Sequence, residues 1–244
     1  MYLRSQEDAN LIKEALWGQV INTGLYDDFR IEERIGSGGF GKVFKVTRRS
    51  DQTQFAAKVF SKSHLLSKPR GLRSLVNEIS LMRSLDSEEF VQFKAVYETE
   101  RSVYLIMELL EGGEIFSRFP QQTFSREDIK YLTRTLLQAI SELQERNLIH
   151  RDLKPGNIML KYADKKLLDN KIKIIDFGLS SAVDGTGHNL FSVCGTPGFI
   201  APEFATLTRS QIEEATPEDF SNCDVFSVGS ILFYLLTGDI PFGG

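Results

Sequence analysis

Four short runs carry residue types whose spacing could do chemistry. The first is Gly36-Ser37-Gly38-Gly39-Phe40-Gly41-Lys42-Val43. Backbone without Cβ atoms can come close to phosphate oxygens. Residues on both sides read as strands, so the glycines form a strand–turn–strand flap; the dinucleotide fingerprint needs a helix there instead. Taken alone, the run is equally a glycine-rich hairpin turn. The second is Phe55-Ala56-Ala57-Lys58, a lysine closing an apolar strand. Its burial is costly unless an anion neutralises it. Glu78, on the following helix, is the candidate partner, and an edge lysine in solvent is the alternative. The third, His150-Arg151-Asp152-Leu153-Lys154-Pro155-Gly156-Asn157, crowds ionisable groups into a loop between apolar elements. There Asp152 can accept a hydroxyl proton, Lys154 can neutralise a phosphate and Asn157 can ligate a metal. The fourth, Asp176-Phe177-Gly178, puts a carboxylate at a strand end, where it suits a hard cation.

The elements that must position these residues can be read from periodicity. Residues 30–35, 42–48 and 55–60 read as strands, 71–85 as a helix, and 90–98 with 102–108 as a hairpin. Beyond Gly112-Gly113 the pattern turns helical, with 125–144 capped by Ser125 and bearing Ile129, Leu132, Leu136, Leu137, Ile140 and Leu143. Residues 6–21 form an amphipathic helix outside the main pattern, opened by the Ser5–Asp8 capping spacing. The apolar run 225–236 is shorter than the ~20 residues of a membrane span, so no span is expected and the run is read as a helix buried on all sides.

Composition narrows the function classes. The 29 Lys and Arg against 33 Asp and Glu leave a net charge of −4, which argues against a nucleic-acid binder. Two cysteines, Cys194 and Cys223, cannot build a disulfide framework, and the N-terminus does not read as a secretory signal. A reduced, cytoplasmic protein is expected, with the nucleus left open.

The order of the motifs decides between the readings. G-x-G-x-x-G-x-V, A-x-K, a helical Glu, H-R-D-L-x-x-x-N, D-F-G and Ala201-Pro202-Glu203 together resemble the eukaryotic protein kinase signature set. The resemblance covers about residues 29–244. It implies an α+β, bilobal kinase-like fold: a small β-rich N-lobe with one helix (29–107), a hinge (108–113) and a mainly helical C-lobe (114–244) whose later helices are absent. Residues 1–28 are expected as an N-terminal helix and linker. The resemblance further implies ATP, Mg²⁺ and protein substrates. Gly36, Gly38 and Gly41 would cover the ATP phosphates, and Lys58 would hold the α- and β-phosphates while pairing with Glu78. Asp152 would take the substrate proton, Lys154 would approach the γ-phosphate, and Asn157 and Asp176 would hold the metal. Ile35, Val43, Ala56, Met107 and Met159 would enclose adenine, with the backbone of Glu108 and Leu110 on its edge. Phe177 and His150 would stack with Met82 and Phe93, and Asp224 would accept the His150 and Arg151 backbone N–H groups.

Lys154 and Thr196-Pro197-Gly198 point to the Ser/Thr type. Within it, residues 108–114 and 194–203 look most like the calcium/calmodulin-dependent and calcium-dependent group. Glu114 matches a residue that touches the ATP ribose and a substrate arginine, so Arg three residues before the acceptor is expected. Gly156 and Tyr234 replace carboxylates that would read a second arginine. Ser192 lies where activation-loop phosphorylation occurs, with Arg151 as one clear cation; Ser181 and Ser74 stand where further basic residues would be expected. Glu203 normally pairs with an arginine from a later helix. The N-terminal helix is expected to dock on a lobe, meet a partner or join a regulatory domain. Besides an active kinase, a pseudokinase-like binding module and a fragment unable to fold alone remain open.

Overall fold

A computed structural model describes residues 21–38, 41–69, 71–119, 124–182, 195–202 and 222–241. All but residue 21 of the helix expected over residues 6–21, together with Ser192 and Glu203, lie outside them. The chain divides into two compact units. One holds the chain up to Asp86 together with Val91–Leu109; the other holds Ser87–Phe90 and everything from Leu110.

The first unit is built on a six-stranded sheet ordered β1-β5-β6-β4-β3-β2. The strands are β1 Ile21–Asn22, β2 Phe29–Gly38, β3 Gly41–Arg48, β4 Gln54–Ser61, β5 Phe93–Glu98 and β6 Ser102–Glu108. All neighbours are antiparallel except β1 and β5. β4 lies between β6 and β3 and is buried on both faces, which is why its apolar residues run without alternation. On one face Phe29, Val46, Phe55, Ala57, Tyr97, Tyr104 and Ile106 form a cluster with Leu25. Helix α3, Gly71–Ser84, buries Leu75, Glu78, Ile79, Leu81 and Met82. The sequence reading missed α2, Lys62–Ser67, whose buried Lys62 reaches Glu98 at 2.5 Å.

Residues 21–28 differ from the helix end and linker expected there. Ile21–Asn22 is a strand paired with Val96 and Tyr97, and Leu25–Asp28 forms the helical turn α1. The reason is apolar burial: Leu25 is only 1% exposed at the sheet face. The Tyr97 hydroxyl donates to Asp28 Oδ2 at 2.6 Å, and burial followed by that bond pushes its pKa up to about 12.

The second unit is mainly helical. Helix α4 is Ile115–Arg118, α5 is Arg126–Glu145 and α6 is Cys223–Thr237. Ser125 and Asp128 close a reciprocal capping box on α5. Leu132, Leu136, Ala139, Ile140 and Leu143 face inward, whereas Leu137, named with them in the apolar pattern of the helix, is exposed. A small sheet orders β10 (Ile172–Ile174), β9 (Ile158–Leu160) and β7 (Gly113–Glu114), and β8 (Leu148–Ile149) pairs with β11 (Ser181–Ala182). The β9–β10 connection is tied down by Asn170, bonded to the Tyr162 backbone, and by Arg118, which donates to the Tyr162 and Lys165 carbonyls.

Helix α6 is not buried on all sides: Asp224, Ser227, Val228, Ile231 and Leu235 are buried, but Val225 and Phe233 are exposed and Leu236 is 62% exposed. Residues 90–92 do not extend β5. Phe90 instead bridges Ile174 in the second unit, Ile174 N–H donates to the Glu89 carbonyl, and Lys173 Nζ donates to the Phe90 carbonyl.

Replacing Leu25 by Ala should cost about 2–5 kcal/mol, the range for emptying a leucine site in a packed core. A lower urea midpoint for the variant checks this; a linker residue would leave the midpoint unmoved.

Candidate active site

The first unit carries one set of the expected residues on a single sheet face. Val43 pairs with Lys58, Lys45 with Ala56, and Ala56 with Met107. Directly paired residues point the same way, and i and i+2 share a face. The register therefore brings Val43, Ala56, Lys58 and Met107 together. Ala56 and Met107 are buried, Val43 is half-buried and Ile35 is exposed. From α3, Glu78 Oε1 meets Lys58 Nζ at 2.7 Å, both side chains nearly buried. Each charge here compensates the cost of burying the other.

The glycine hairpin pairs Gly36 with Val43, Ser37 with Lys42 and Gly38 with Gly41. Its glycines differ. A Cβ on Gly41 would lie 2.4 Å from the Val59 carbonyl oxygen, so packing within the sheet demands glycine there. A Cβ on Gly36 would meet only the Val43 side chain at 3.7 Å, an ordinary contact. Among the described residues nothing in the hairpin itself requires glycine at 36.

The second unit holds the acid–base set. Helix α6 begins with Asp224 buried. Its Oδ2 accepts the His150 N–H at 2.7 Å and its Oδ1 accepts the Arg151 N–H at 3.0 Å. Burial pushes the Asp224 pKa up, against the opposing pull of His150 and these two bonds. The His150 ring is oriented twice: Nδ1 accepts from the Asp152 N–H at 3.3 Å, so Nε2 is the nitrogen that donates to the Ile175 carbonyl at 3.2 Å. Arg151 Nε donates to the Leu179 carbonyl at 2.6 Å. Arg151 and Asp176 both hold positive φ, 65° and 67°, in the region non-glycine residues rarely occupy.

Asp152 is held from three sides. Thr196 Oγ1 donates to Oδ1 at 2.7 Å, Lys154 Nζ lies 2.9 Å from Oδ2, and Asn157 Nδ2 donates to the Asp152 carbonyl at 2.8 Å and to Oδ2 at 3.3 Å. Lys154 Nζ also donates to Thr196 Oγ1 at 2.8 Å, closing the ring of contacts. Both Asn157 bonds are made by its nitrogen, so its amide oxygen points elsewhere as a donor atom for a cation. The Ile175 N–H donates to the Asn157 carbonyl at 3.0 Å, which brings Asn157 beside the strand end that carries Asp176. An amide oxygen and a carboxylate are hard oxygen donors, and phosphate oxygens would complete the shell. This set fits Mg²⁺.

Around this core, Glu114 pairs with Met159 across β7 and β9. Glu114 is exposed and accepts from Ser117 Oγ at 3.3 Å; Leu110 and Met159 are half-buried. Phe177 is fully enclosed, edge-on to His150 at 5.3 Å and to Phe90 at 5.6 Å. The ring beside Phe177 in this unit is thus Phe90; Phe93 lies in the first unit, paired with Met107. Sequence reasoning also missed Ser180 and Ser227. Ser180 Oγ donates to the His150 carbonyl at 3.2 Å and Ser227 Oγ donates to the Phe199 carbonyl at 2.7 Å. A serine amid apolar residues on α6 was the only available signal. Ser192 and Glu203 lie outside the described residues.

A sequence model of the protein kinase domain matches residues 29–244. The chain belongs to the protein kinase family. Among curated proteins, this kinase domain is 35% identical over 227 residues to calcium/calmodulin-dependent protein kinase type 1 of Caenorhabditis elegans, covering 92% of this chain and 60% of that protein. It is 33% identical to calcium-dependent protein kinase 5 of Plasmodium falciparum, over 91% of this chain and 36% of that protein. It is 32% identical to the serine/threonine-protein kinase RAD53 of Saccharomyces cerevisiae, over 91% of this chain and 27% of that protein. The kinase domain thus spans less than two thirds of the length of these relatives. Its architecture is the α+β one expected of the family.

Replacing Asp224 by Ala strips two buried N–H groups of their acceptor and should cost about 2–5 kcal/mol. Asp224→Asn, which keeps one acceptor oxygen, should lose less. Urea unfolding of both variants checks the order.

Proposed function

We propose that the chain is the catalytic part of a protein serine/threonine kinase that transfers the γ-phosphoryl group of ATP to Ser or Thr hydroxyls of proteins. The observation that carries this reading is the clamp on Asp152 by Thr196, Lys154 and Asn157. A carboxylate held this way keeps one geometry for accepting a proton. Asp152 accepts the proton of the substrate hydroxyl as its oxygen bonds to the γ-phosphorus and the bond to the ADP oxygen breaks. Lys154 offsets charge on the transferring group, and Lys58, steadied by Glu78, holds the α- and β-phosphates. Asn157 and Asp176 would hold Mg²⁺, which when bound neutralises phosphate charge. Gly36, Gly38 and Gly41 cover the phosphates. Ile35, Val43, Ala56, Met107, Leu110 and Met159 supply the apolar surround of adenine, with the backbone of Glu108 and Leu110 on its edge. Relatives named as Ser/Thr kinases support the class of acceptor. A cytoplasmic setting is part of the same proposal.

We extend the proposal to substrate preference. Glu114, exposed beside the proposed nucleotide-binding Met159, would meet the ribose and an arginine three residues before the acceptor.

ATP- and Mg²⁺-dependent phosphorylation of a basic Ser peptide tests the first claim. Asp152→Asn should lower kcat about 10²- to 10⁴-fold, the usual worth of a general base. Transfer at the wild-type rate in Asp152→Asn, or nucleotide binding without transfer in the wild type, would refute it. For the second claim, peptides with and without the arginine should differ in KM, and Glu114→Ala should level them.

A further inference from the structure

We infer that the Glu108 carboxylate is a positioning residue for adenine recognition, an inference that rests on the kinase reading above. β5 begins at Phe93 and β6 ends at Glu108, so the ladder between them stops at the Phe93–Met107 pair. The next residue on each side does not close a regular pair. The Glu108 N–H donates to the Gln92 carbonyl at 2.9 Å, as a ladder residue does. The return bond differs: the Gln92 N–H donates to Glu108 Oε1, also at 2.9 Å.

In a regular antiparallel pair that N–H would go to the Glu108 backbone carbonyl. Here the side chain of the same residue takes the duty over. That carbonyl is the group assigned above to the adenine edge. The exchange lets Glu108 stay pinned to Gln92 through two bonds while its peptide oxygen serves a ligand. A leucine or alanine could hold the first bond but not the second. Glu108 is buried, and the Gln92 N–H that its carboxylate accepts is backbone at the end of the β5–β6 ladder, so this bond is fixed by the sheet itself.

The test compares Glu108→Ala with Glu108→Gln in the intact chain. Alanine should raise KM for ATP about five- to tenfold, the worth of one such bond expressed in binding. It should leave kcat and the peptide KM within about twofold, because none of the phosphate or proton-transfer groups is touched. A glutamine amide oxygen can accept the same N–H, so Glu108→Gln should bring KM for ATP back toward the wild-type value. Inhibition by Mg²⁺-tripolyphosphate, which has no adenine, should be equal in all three proteins.

An unchanged KM for ATP in Glu108→Ala overturns the inference. So does a fall in Tm and kcat at constant KM, which would make the residue merely structural, and so does a glutamine variant as impaired as alanine. A nucleotide-induced Tm shift measured first on the wild type separates this from the parent reading: its absence would overturn the kinase reading itself.

Discussion

Asp224 opens a mostly apolar helix with a carboxylate that has almost no exposure to offset its burial. A charge in that position persists only if both oxygens are engaged. They are, by two successive backbone N–H groups of the loop that carries Asp152. The effects run outward from those two bonds. They hold Arg151 at positive φ, a conformation that costs about 1–3 kcal/mol elsewhere and needs surrounding structure to persist. With Arg151 turned that way, its side chain reaches Leu179 and its neighbour Asp152 reaches Thr196. His150, bonded through both ring nitrogens, joins the same backbone to the strand leading into Asp176.

The first unit solves a similar problem with a different device. Lys58 lies on a central strand, where water cannot solvate its ammonium, and Glu78 on α3 faces it at 2.7 Å. Removing either partner would take this compensating charge away from the other, whose side chain is itself nearly buried. The orientation of α3 on the sheet is therefore tied to Lys58, the proposed phosphate-binding group, as well as to Leu75, Ile79 and Met82.

Much of this was legible in the sequence because the chemistry needs fixed letters in fixed contexts. The strands β3, β4 and β6, helix α3 and helix α5 with its Ser125 cap follow from periodicity and turn residues. So do the positions of Lys58, Asp152, Asn157 and Asp176. Other features left no such trace. Leu25 reads as an isolated leucine after Thr23-Gly24, because its burial depends on a sheet face assembled from residues as distant in sequence as Tyr104 and Ile106. Phe90 continues an alternating pattern that suits a strand, yet its partner Ile174 is chosen by tertiary packing. The exposed side of α6 could not be told from its buried side, since the run is apolar all round and periodicity then carries no phase. The reason for Glu108 was hidden in a different way: a carboxylate at the end of a strand is ordinary until its acceptor role toward Gln92 is seen.

The allocation of Ser87–Phe90 to the second unit has a consequence for how the chain is threaded. The polypeptide changes unit at 86/87, at 90/91 and again at 109/110. The two units are therefore not consecutive blocks of sequence, and no single cut yields both. A break at the last crossing would carry off the short segment that lends Phe90 to Phe177 and the Phe90 carbonyl to Lys173. The unit bearing Asp152 would be left with an open seam beside the Asp-Phe-Gly turn. During synthesis the same threading imposes an order: Phe90 emerges well before its partners and waits until Ile174 is made.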